Sequence, residues 1–249
     1  SKIKDVSFKP ILPDVFVGIP RDLYLVENNL VILDEYEGKQ LTLVDLNNPS
    51  NVQRLGTKGQ GPNDFLRISN LSYNPQNGIL HVFDEYARRQ SSYMVKERKV
   101  VFNAANLKKK TLLGNTTYNV IPFGNSFVTN GNFDGKQFAL LNEKAEIVEK
   151  FGIFPGNKDA INTGVAFYLL NQNRLVVNPQ ETHFAAAGFM NDHLVFYGKK
   201  GNSVEKLKEY FNYDTKATPS VRNQGGGKLY AFSENENTMR AYVDVFATE

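Results

Sequence analysis

Short apolar runs alternate with turn-forming stretches along the whole chain, and few windows follow the spacing of an amphipathic helix. Runs of about four to eight residues rich in Val, Ile, Leu, Phe and Tyr end at Asn-Gly, Asn-Pro, Gly-Asn or Pro-Gly. Such pairs supply the backbone angles of tight hairpins, so the pattern predicts strands joined by short turns. Asn77-Gly78 and Asp134-Gly135 are two of these turns. One stretch reads as ISNLSYNP, a turn, ILHVFDE, a turn, RQSSYMVK and then KVVFNA, a meander of short strands. The best helical window, SVEKLKEYF from Ser203 to Phe211, also reads as an outer strand, and the strand is the preferred reading.

The same pattern repeats. LVILDEYEGKQLTLVD from Leu30 to Asp45 aligns without a gap with FVTNGNFDGKQFALLN from Phe127 to Asn142, so that Gly38-Lys39-Gln40 returns as Gly135-Lys136-Gln137. YNPQNGILHVFDEY, ending at Tyr86, matches VNPQETHFAAAGF, ending at Phe189, with Asn74-Pro75-Gln76 returning as Asn178-Pro179-Gln180. Asp34-Glu35-Tyr36 reappears as Asp84-Glu85-Tyr86, and LYAFSE from Leu229 reads like LHVFDE from Leu80. Taking Leu30, Leu80, Phe127, Phe184 and Leu229 as equivalent strand starts gives spacings of 50, 47, 57 and 45 residues. Those periods suit one propeller blade per repeat, a four-stranded antiparallel unit that buries its faces only against its neighbours. The expected fold class is therefore all-β, a β-propeller with five blade starts in view.

Composition narrows the function. The 249 residues show no linker and are read as a single propeller domain over 1–249. Cysteine is absent, which removes disulfides, thiolate metal sites and cysteine nucleophiles together. No stretch approaches the ~18 apolar residues of a membrane span, and Ser1-Lys2-Ile3-Lys4 is not a signal peptide. A net charge of +3, from 29 basic and 26 acidic side chains, is too balanced to indicate nucleic acid. Lys108-Lys109-Lys110 is read as a solvated loop between blades, because no aromatic residues interleave with it. No nucleophile motif with a matching base is present, and without Trp the sialidase-type propeller is disfavoured.

GTKGQGPNDF from Gly56 to Phe65, followed by a strand and NGILHVFDEYARRQSSYMV, resembles the NHL-type repeat. In that repeat a G-x-G-P-x-x-F turn leads into an apolar strand ending in Asp, and an Arg opens the next strand. The chain is also similar to the TolB-like six-bladed propeller proteins of Bacteroides-type bacteria, again through HFAAAGFMNDHLVFYGKKG from His183 and LYAFSENENTMRAYVDVF from Leu229. The resemblance implies an extracytoplasmic protein of the envelope, periplasmic or held at the outer membrane as a lipoprotein by an anchor ahead of Ser1, in a family of mostly uncharacterised members. It also implies six blades, whereas the fifth repeat stops at Glu249 just after RAYVDVF, and Val6 to Ile19 offer one or two closing strands only. A ring short of a blade leaves unpaired edges, so some self-association is expected.

Candidate site residues follow from the repeats. Gly56, Gly59, Gly61, Pro62 and Phe65 are expected to form a structural connector, with glycines for positive φ, Pro62 to stiffen the turn and Phe65 as an anchor between sheets. A phosphate loop would need a Lys-Ser/Thr end and a helix behind it, but Asn-Asp-Phe and a strand follow. Asp34-Glu35, Asp84-Glu85 and Glu234, at the ends of predicted inner strands, could converge to hold Ca²⁺ or serve as acid and base. Alternatively each Asp accepts turn amides and pairs with an Arg such as Arg88, Arg89 or Arg240. The carboxylate ring is broken where the third and fourth repeats carry Gly131-Asn132 and Gly188-Phe189. Tyr36, Tyr86 and Tyr118 could line a groove on which a sugar or peptide stacks. His81, His183 and His193 lie in different strands, and His81 is expected to be a satisfied, partly buried side chain.

These readings favour a non-catalytic binding or scaffold module whose ligand is a glycan, peptide or protein, with no cofactor. The alternative is a lactonase-like hydrolase dependent on Ca²⁺ or a similar hard ion. Ligand contacts are expected from Asp34, Glu35, Tyr36, Asp84, Glu85, Tyr86, Arg88 and Glu234.

Overall fold

A computed structural model of the chain describes residues 15–61, 64–96, 99–100, 107–112, 119–155, 171–189, 191–211, 218–224 and 227–233. These residues form antiparallel strands and turns. The first sheet runs β1 (Pro20–Val26), β2 (Asn29–Tyr36), β3 (Lys39–Asp45) and β4 (Asn48–Thr57), paired in sequence order. The second holds β5 (Ile68–Asn74), β6 (Ile79–Asp84) and β7 (Arg89–Lys96), with β8 (Lys99–Val100) and β9 (Leu107–Leu112) both pairing with β7. The third comprises β10 (Asn119–Phe123), β11 (Ser126–Phe133), β12 (Lys136–Leu141) and β13 (Ile147–Ile153). The fourth comprises β14 (Asn173–Val177), β15 (His183–Gly188), β16 (His193–Lys200) and β17 (Ser203–Phe211). A further hairpin follows, β18 (Thr218–Gln224) with β19 (Gly227–Ser233).

Each four-stranded meander is a propeller blade. Residues of β1, β5, β10 and β14 line one shared cavity of about 340 Å³, so the first strand of every blade faces the common axis. Leu30, Leu80, Phe127 and Phe184 are each the second residue of the second strand of a blade, and Leu229 is the third residue of β19. The middle strands are buried on both faces, whereas β17 is almost wholly exposed. Neighbouring blades cover both faces of a middle strand, and this is why such strands read as continuous apolar runs instead of alternating ones. The hairpins at Glu37-Gly38 and Asp134-Gly135 have positive φ at both central residues, the geometry that matches strand twist.

Three apolar clusters cement the blades. Val31, Leu33, Leu41 and Leu43 pack with Phe65, Ile68, Leu80 and Val82 between the first and second blades. Phe83 meets Val120, Phe127 and Leu141 between the second and third. Between the third and fourth, Phe138, Phe151, Phe184 and Tyr197 form an aromatic group with ring centroids 5.0 to 6.2 Å apart.

Two local expectations are corrected. Lys108-Lys109-Lys110 lies in β9, the outer strand of the second blade, and not in a loop. Of KVVFNA, only Lys99–Val100 pairs with β7 among the described residues, and β9 supplies the outer strand instead. SVEKLKEYF is strand β17, as preferred. Among the described residues no helix is long and apolar enough to cross a membrane.

Candidate functional site

Strand direction alternates within a blade, so the turns between second and third strands share one end of the barrel of blades with the connectors between blades. At this connector end lie both Asp-Glu-Tyr corners, at the close of second strands and not of the innermost ones. Asp34 and Asp84 are 1% and 0% exposed, and their carboxylates are consumed by donors. Asp34 accepts from Gly18 N at 3.0 Å and Thr42 Oγ1 at 2.6 Å, and pairs with Arg54 at 3.5 Å. Asp84 accepts from Leu66 N at 2.7 Å, Arg67 N at 3.1 Å and the turn amide of Ala87 at 3.0 Å, with Arg89 at 3.8 Å. Each aspartate thus clamps the chain that enters its blade to the blade's own corner.

The glutamate and tyrosine of each corner look outward and meet cations. Lys58 reaches Glu35 at 3.2 Å, and the Arg54 guanidinium sits 4.7 Å from the Tyr36 ring centre, with Phe16 against the same ring at 4.9 Å. A hydrogen bond to Glu37, and then its charge, raise the Tyr36 phenol above its ordinary value. Arg67 lies 3.7 Å from Glu85, donates to the Tyr86 hydroxyl at 2.8 Å and covers the Tyr86 ring at 5.3 Å. The Tyr86 hydrogen bond, followed by the charges of Glu85 and then Glu35, holds Arg67 in its charged form against burial, so the two corners adjoin. Tyr86 is 61% exposed, which leaves an aromatic surface open to solvent.

The glycine-rich connector is built differently from expectation. Gly56 has φ +70°, but Gly59 and Gly61 do not adopt positive φ; a Cβ there would come within 2.5 and 2.6 Å of Asp64 Oδ2. Asp64 accepts from Gly61 N at 3.0 Å, so among the described residues the loop's own carboxylate takes up this amide. Phe65 is fully buried between the first two blades, with Arg89 over its ring at 5.7 Å. Arg88 takes a left-handed turn conformation with φ 50° before β7. Pro62, Tyr118, Glu234 and Arg240 lie outside the described residues.

Buried amides replace acids between the third and fourth blades. Asn130 Nδ2 donates to the Asn173 main-chain and side-chain oxygens at 3.0 Å, Gln137 Nε2 to Asn171 O at 3.1 Å, and Asn191 Nδ2 to Asn171 Oδ1 at 3.1 Å. Sequence reasoning missed this network; the recurrence of Gln40 as Gln137 was its one visible trace. The histidines sit apart. His81 Nδ1 is 3.0 Å from Ser92 Oγ, and burial pushes the ring down to about 4. His193 meets Glu209 at 2.9 Å, and His183 meets Thr182 at 2.9 Å. Among the described residues no group of three His, Cys, Asp or Glu side chains is placed to hold a metal.

A comparison with curated proteins returned no match. Among solved structures, a protein from Bacteroides fragilis described as exported is similar at 16% identity and TM-score 0.49, over 81% of this chain and 52% of that one. A member of the DUF4221 family from Bacteroides vulgatus matches at 12% identity and TM-score 0.45, over 80% and 63%. A Bacteroides uniformis protein described as a 6-phosphogluconolactonase matches at 9% identity and TM-score 0.48, over 89% and 71%. The chain thus spans about half the length of the Bacteroides fragilis protein. A profile of the TolB-like 6-blade propeller-like family matches residues 4–249. With three four-stranded antiparallel blades and a five-stranded one ranged around a shared axis, and a profile match over nearly its whole length, the chain belongs to the TolB-like 6-blade propeller-like family.

Proposed function

We propose that residues 1–249 act as one non-catalytic binding or scaffold module of the bacterial envelope, and that the connector end is its recognition face. The observation that carries this reading is the division of labour in the two Asp-Glu-Tyr corners. The aspartates are buried and saturated by donors, while Glu35, Tyr36, Glu85 and Tyr86 form, with Arg54, Lys58 and Arg67, an outward surface of aromatic rings and paired charges. Rings with a polar tip and a nearby guanidinium suit recognition of sugars or protein loops. Acid–base or Ca²⁺ chemistry would need carboxylate oxygens free of such partners. An extracytoplasmic setting, periplasmic or lipid-anchored, fits the envelope character of the family.

The test is a thermal-shift panel of the purified chain with neutral and acidic glycans, peptidoglycan fragments, Ca²⁺ and EDTA. A ligand at 100-fold its Kd adds ~2.7 kcal/mol, and each kcal/mol moves Tm by about 2–4 °C for this size. A glycan-dependent rise that Tyr86→Ala removes supports the reading. A Ca²⁺-dependent rise reversed by EDTA overturns it in favour of a metal-dependent hydrolase.

A further inference from the structure

The turns between first and second strands lie at the end of the blades away from the connectors. Three of them, residues 75–78 before β6, 124–125 before β11 and 178–182 before β15, come together there. A cavity of about 310 Å³ lies where they meet, with Ile79 and His81 from the second blade, Pro122 and Phe127 from the third and Glu181 from the fourth among its walls. Glu181 is 7% exposed. Asn74 Nδ2 donates to its Oε1 at 2.7 Å, so the side chain reaches from the fourth blade across to the turn of the second.

This carboxylate has no counter-charge. Among the described residues Glu181 Oε2 has no hydrogen-bond partner, and no Lys or Arg forms an ion pair with Glu181. Burial raises its carboxyl above the ordinary value, against the lowering effect of Asn74. A buried carboxylate without a cation is costly, and a ligand cation relieves that cost. The other walls favour the same sign of ligand. Glu143 adds a second carboxylate, and no Lys or Arg lines the cavity. His81 brings no charge, because burial pushes its ring down to about 4, and its Nδ1 is engaged with Ser92 Oγ at 3.0 Å. A Cβ on Gly124 would meet Lys199 Nζ at 2.6 Å, so this cation stands at the cavity's edge, without an ion pair to Glu181. A metal ion does not fit: Ca²⁺ takes six to eight oxygens, and among the described residues no three acids or histidines are placed to hold one. One open carboxylate oxygen beside the apolar Ile79, Pro122 and Phe127 suits an ammonium on a hydrocarbon chain.

We propose that this cavity binds a primary alkylammonium group, with Glu181 accepting its N–H bonds and Ile79, Pro122 and Phe127 enclosing its chain. Such a group ends a lysine side chain and also occurs on free alkyl amines. The site lies at the opposite end of the blades from the recognition face proposed above and does not depend on it.

The test is titration calorimetry of the full chain at pH 7 and constant ionic strength with butylammonium chloride, Nα-acetyl-lysine methylamide, glucosamine hydrochloride and n-butanol. Both alkylammonium compounds are expected to bind and butanol is not. Tighter binding of the lysine derivative identifies a peptide as the source of the group, and tighter binding of butylammonium a free amine; either supports the site. Glu181→Gln is expected to weaken both at least about tenfold, the loss of a charged hydrogen-bonded pair. That variant keeps an oxygen for Asn74 and removes a buried charge, so its unliganded Tm is expected not to fall, which separates lost binding from lost folding. Lys199→Gln, an exposed substitution that removes the cation at the edge, is expected to strengthen binding by about twofold. Absence of binding by both amines, or equal affinity in wild type and Glu181→Gln, overturns the site. Butanol binding as tightly as butylammonium, or weaker amine binding in Lys199→Gln, overturns the reading of charge. Glucosamine binding more tightly than both amines overturns the alkyl assignment.

Discussion

Gln40 and Gln137, equivalent residues of β3 and β12, make the same tether in two blades. Each is buried, and each donates its side-chain amide to a main-chain carbonyl on the approach to the next blade: Gln40 to Phe65 O at 2.7 Å, Gln137 to Asn171 O at 3.1 Å. The tethers differ in completeness. Gln40 Oε1 also accepts from Ile68 N at 2.7 Å, whereas Gln137 Oε1 has no partner among the described residues and Asn171 O is also reached by Asn173 Nδ2 at 3.4 Å. Gln40→Leu orphans the buried Ile68 amide and leaves the Phe65 carbonyl with Gly59 N as its remaining donor, at about 1–3 kcal/mol for the lost amide partner. Gln137→Leu removes an orphan oxygen and leaves Asn171 O with a second donor, so it is expected to cost less than about 1 kcal/mol. Urea denaturation of the two variants checks the contrast; equal losses would refute it.

The aspartate clamps are expected to differ in the same way. At Asp84 both oxygens receive main-chain N–H groups, which cannot reverse direction. Asp84→Asn therefore faces Leu66 N or the Arg67 and Ala87 amides with an NH₂, and is expected to cost about 2–4 kcal/mol, a charged acceptor lost and a donor unmet. At Asp34 one oxygen is served by the Thr42 hydroxyl, which can turn and accept from an amide. Asp34→Asn is expected to cost about 1 kcal/mol, the size of one weakened charge-assisted bond. Chemical denaturation reads both values, and a larger loss at Asp34 would contradict the clamp geometry.

The blade pattern was legible because middle strands buried on both faces leave long apolar runs in the sequence, and because the corners of the first two blades end in the same Asp. The starts at Leu30, Leu80, Phe127 and Phe184 are visible for the first reason, and the match between Asp34 and Asp84 for the second. What stayed hidden depends on who sits opposite whom. Gln40 reads as an ordinary polar residue until Phe65 and Ile68 are brought to it, and Gly59 and Gly61 read as turn glycines until Asp64 folds back on them. Lys108-Lys109-Lys110 misled because charge runs suit both loops and outer strands.

His81 makes stability depend on pH with a defined sign. It stands opposite Ser92, edge-on to Phe127 at 5.9 Å, and burial lowers its folded value to about 4 from an ordinary 6.5. Between those values the unfolded chain binds a proton that the native state refuses, so stability rises with pH across this window and is fully present above 6.5. The span corresponds to about 3 kcal/mol. Glu181, raised by burial, acts with the opposite sign: its contribution favours the native state in acid and is lost as pH rises through its folded value. Comparing wild type with His81→Gln isolates the histidine. The wild type is expected to lose about 3 kcal/mol more than the variant between pH 7 and pH 4, and parallel pH profiles for the two proteins would show that His81 titrates normally.

Phe65 is the last residue of the glycine-rich connector and the first apolar contact of the second blade. Its ring is fully buried among residues of both blades, 6.4 Å from Tyr93, while its main chain is bonded at both ends: Phe65 N to Thr57 O at 2.9 Å, and its carbonyl to Gly59 N at 3.1 Å and Gln40 at 2.7 Å. With the backbone pinned on both sides, the chain cannot slide to fill the space that a missing ring leaves. Phe65→Ala is therefore expected to fall at the rigid end of large-to-small substitutions, about 3–5 kcal/mol. Phe65→Leu keeps most of the volume and is expected to cost about 1–1.5 kcal/mol. If the ring is an anchor between blades, the loss appears in a single cooperative transition, because the first two blades share this cluster. A loss below about 1 kcal/mol in Phe65→Ala would mean that the site collapses freely around the smaller side chain, and that the blades are held by Gln40 and Asp84 without the ring.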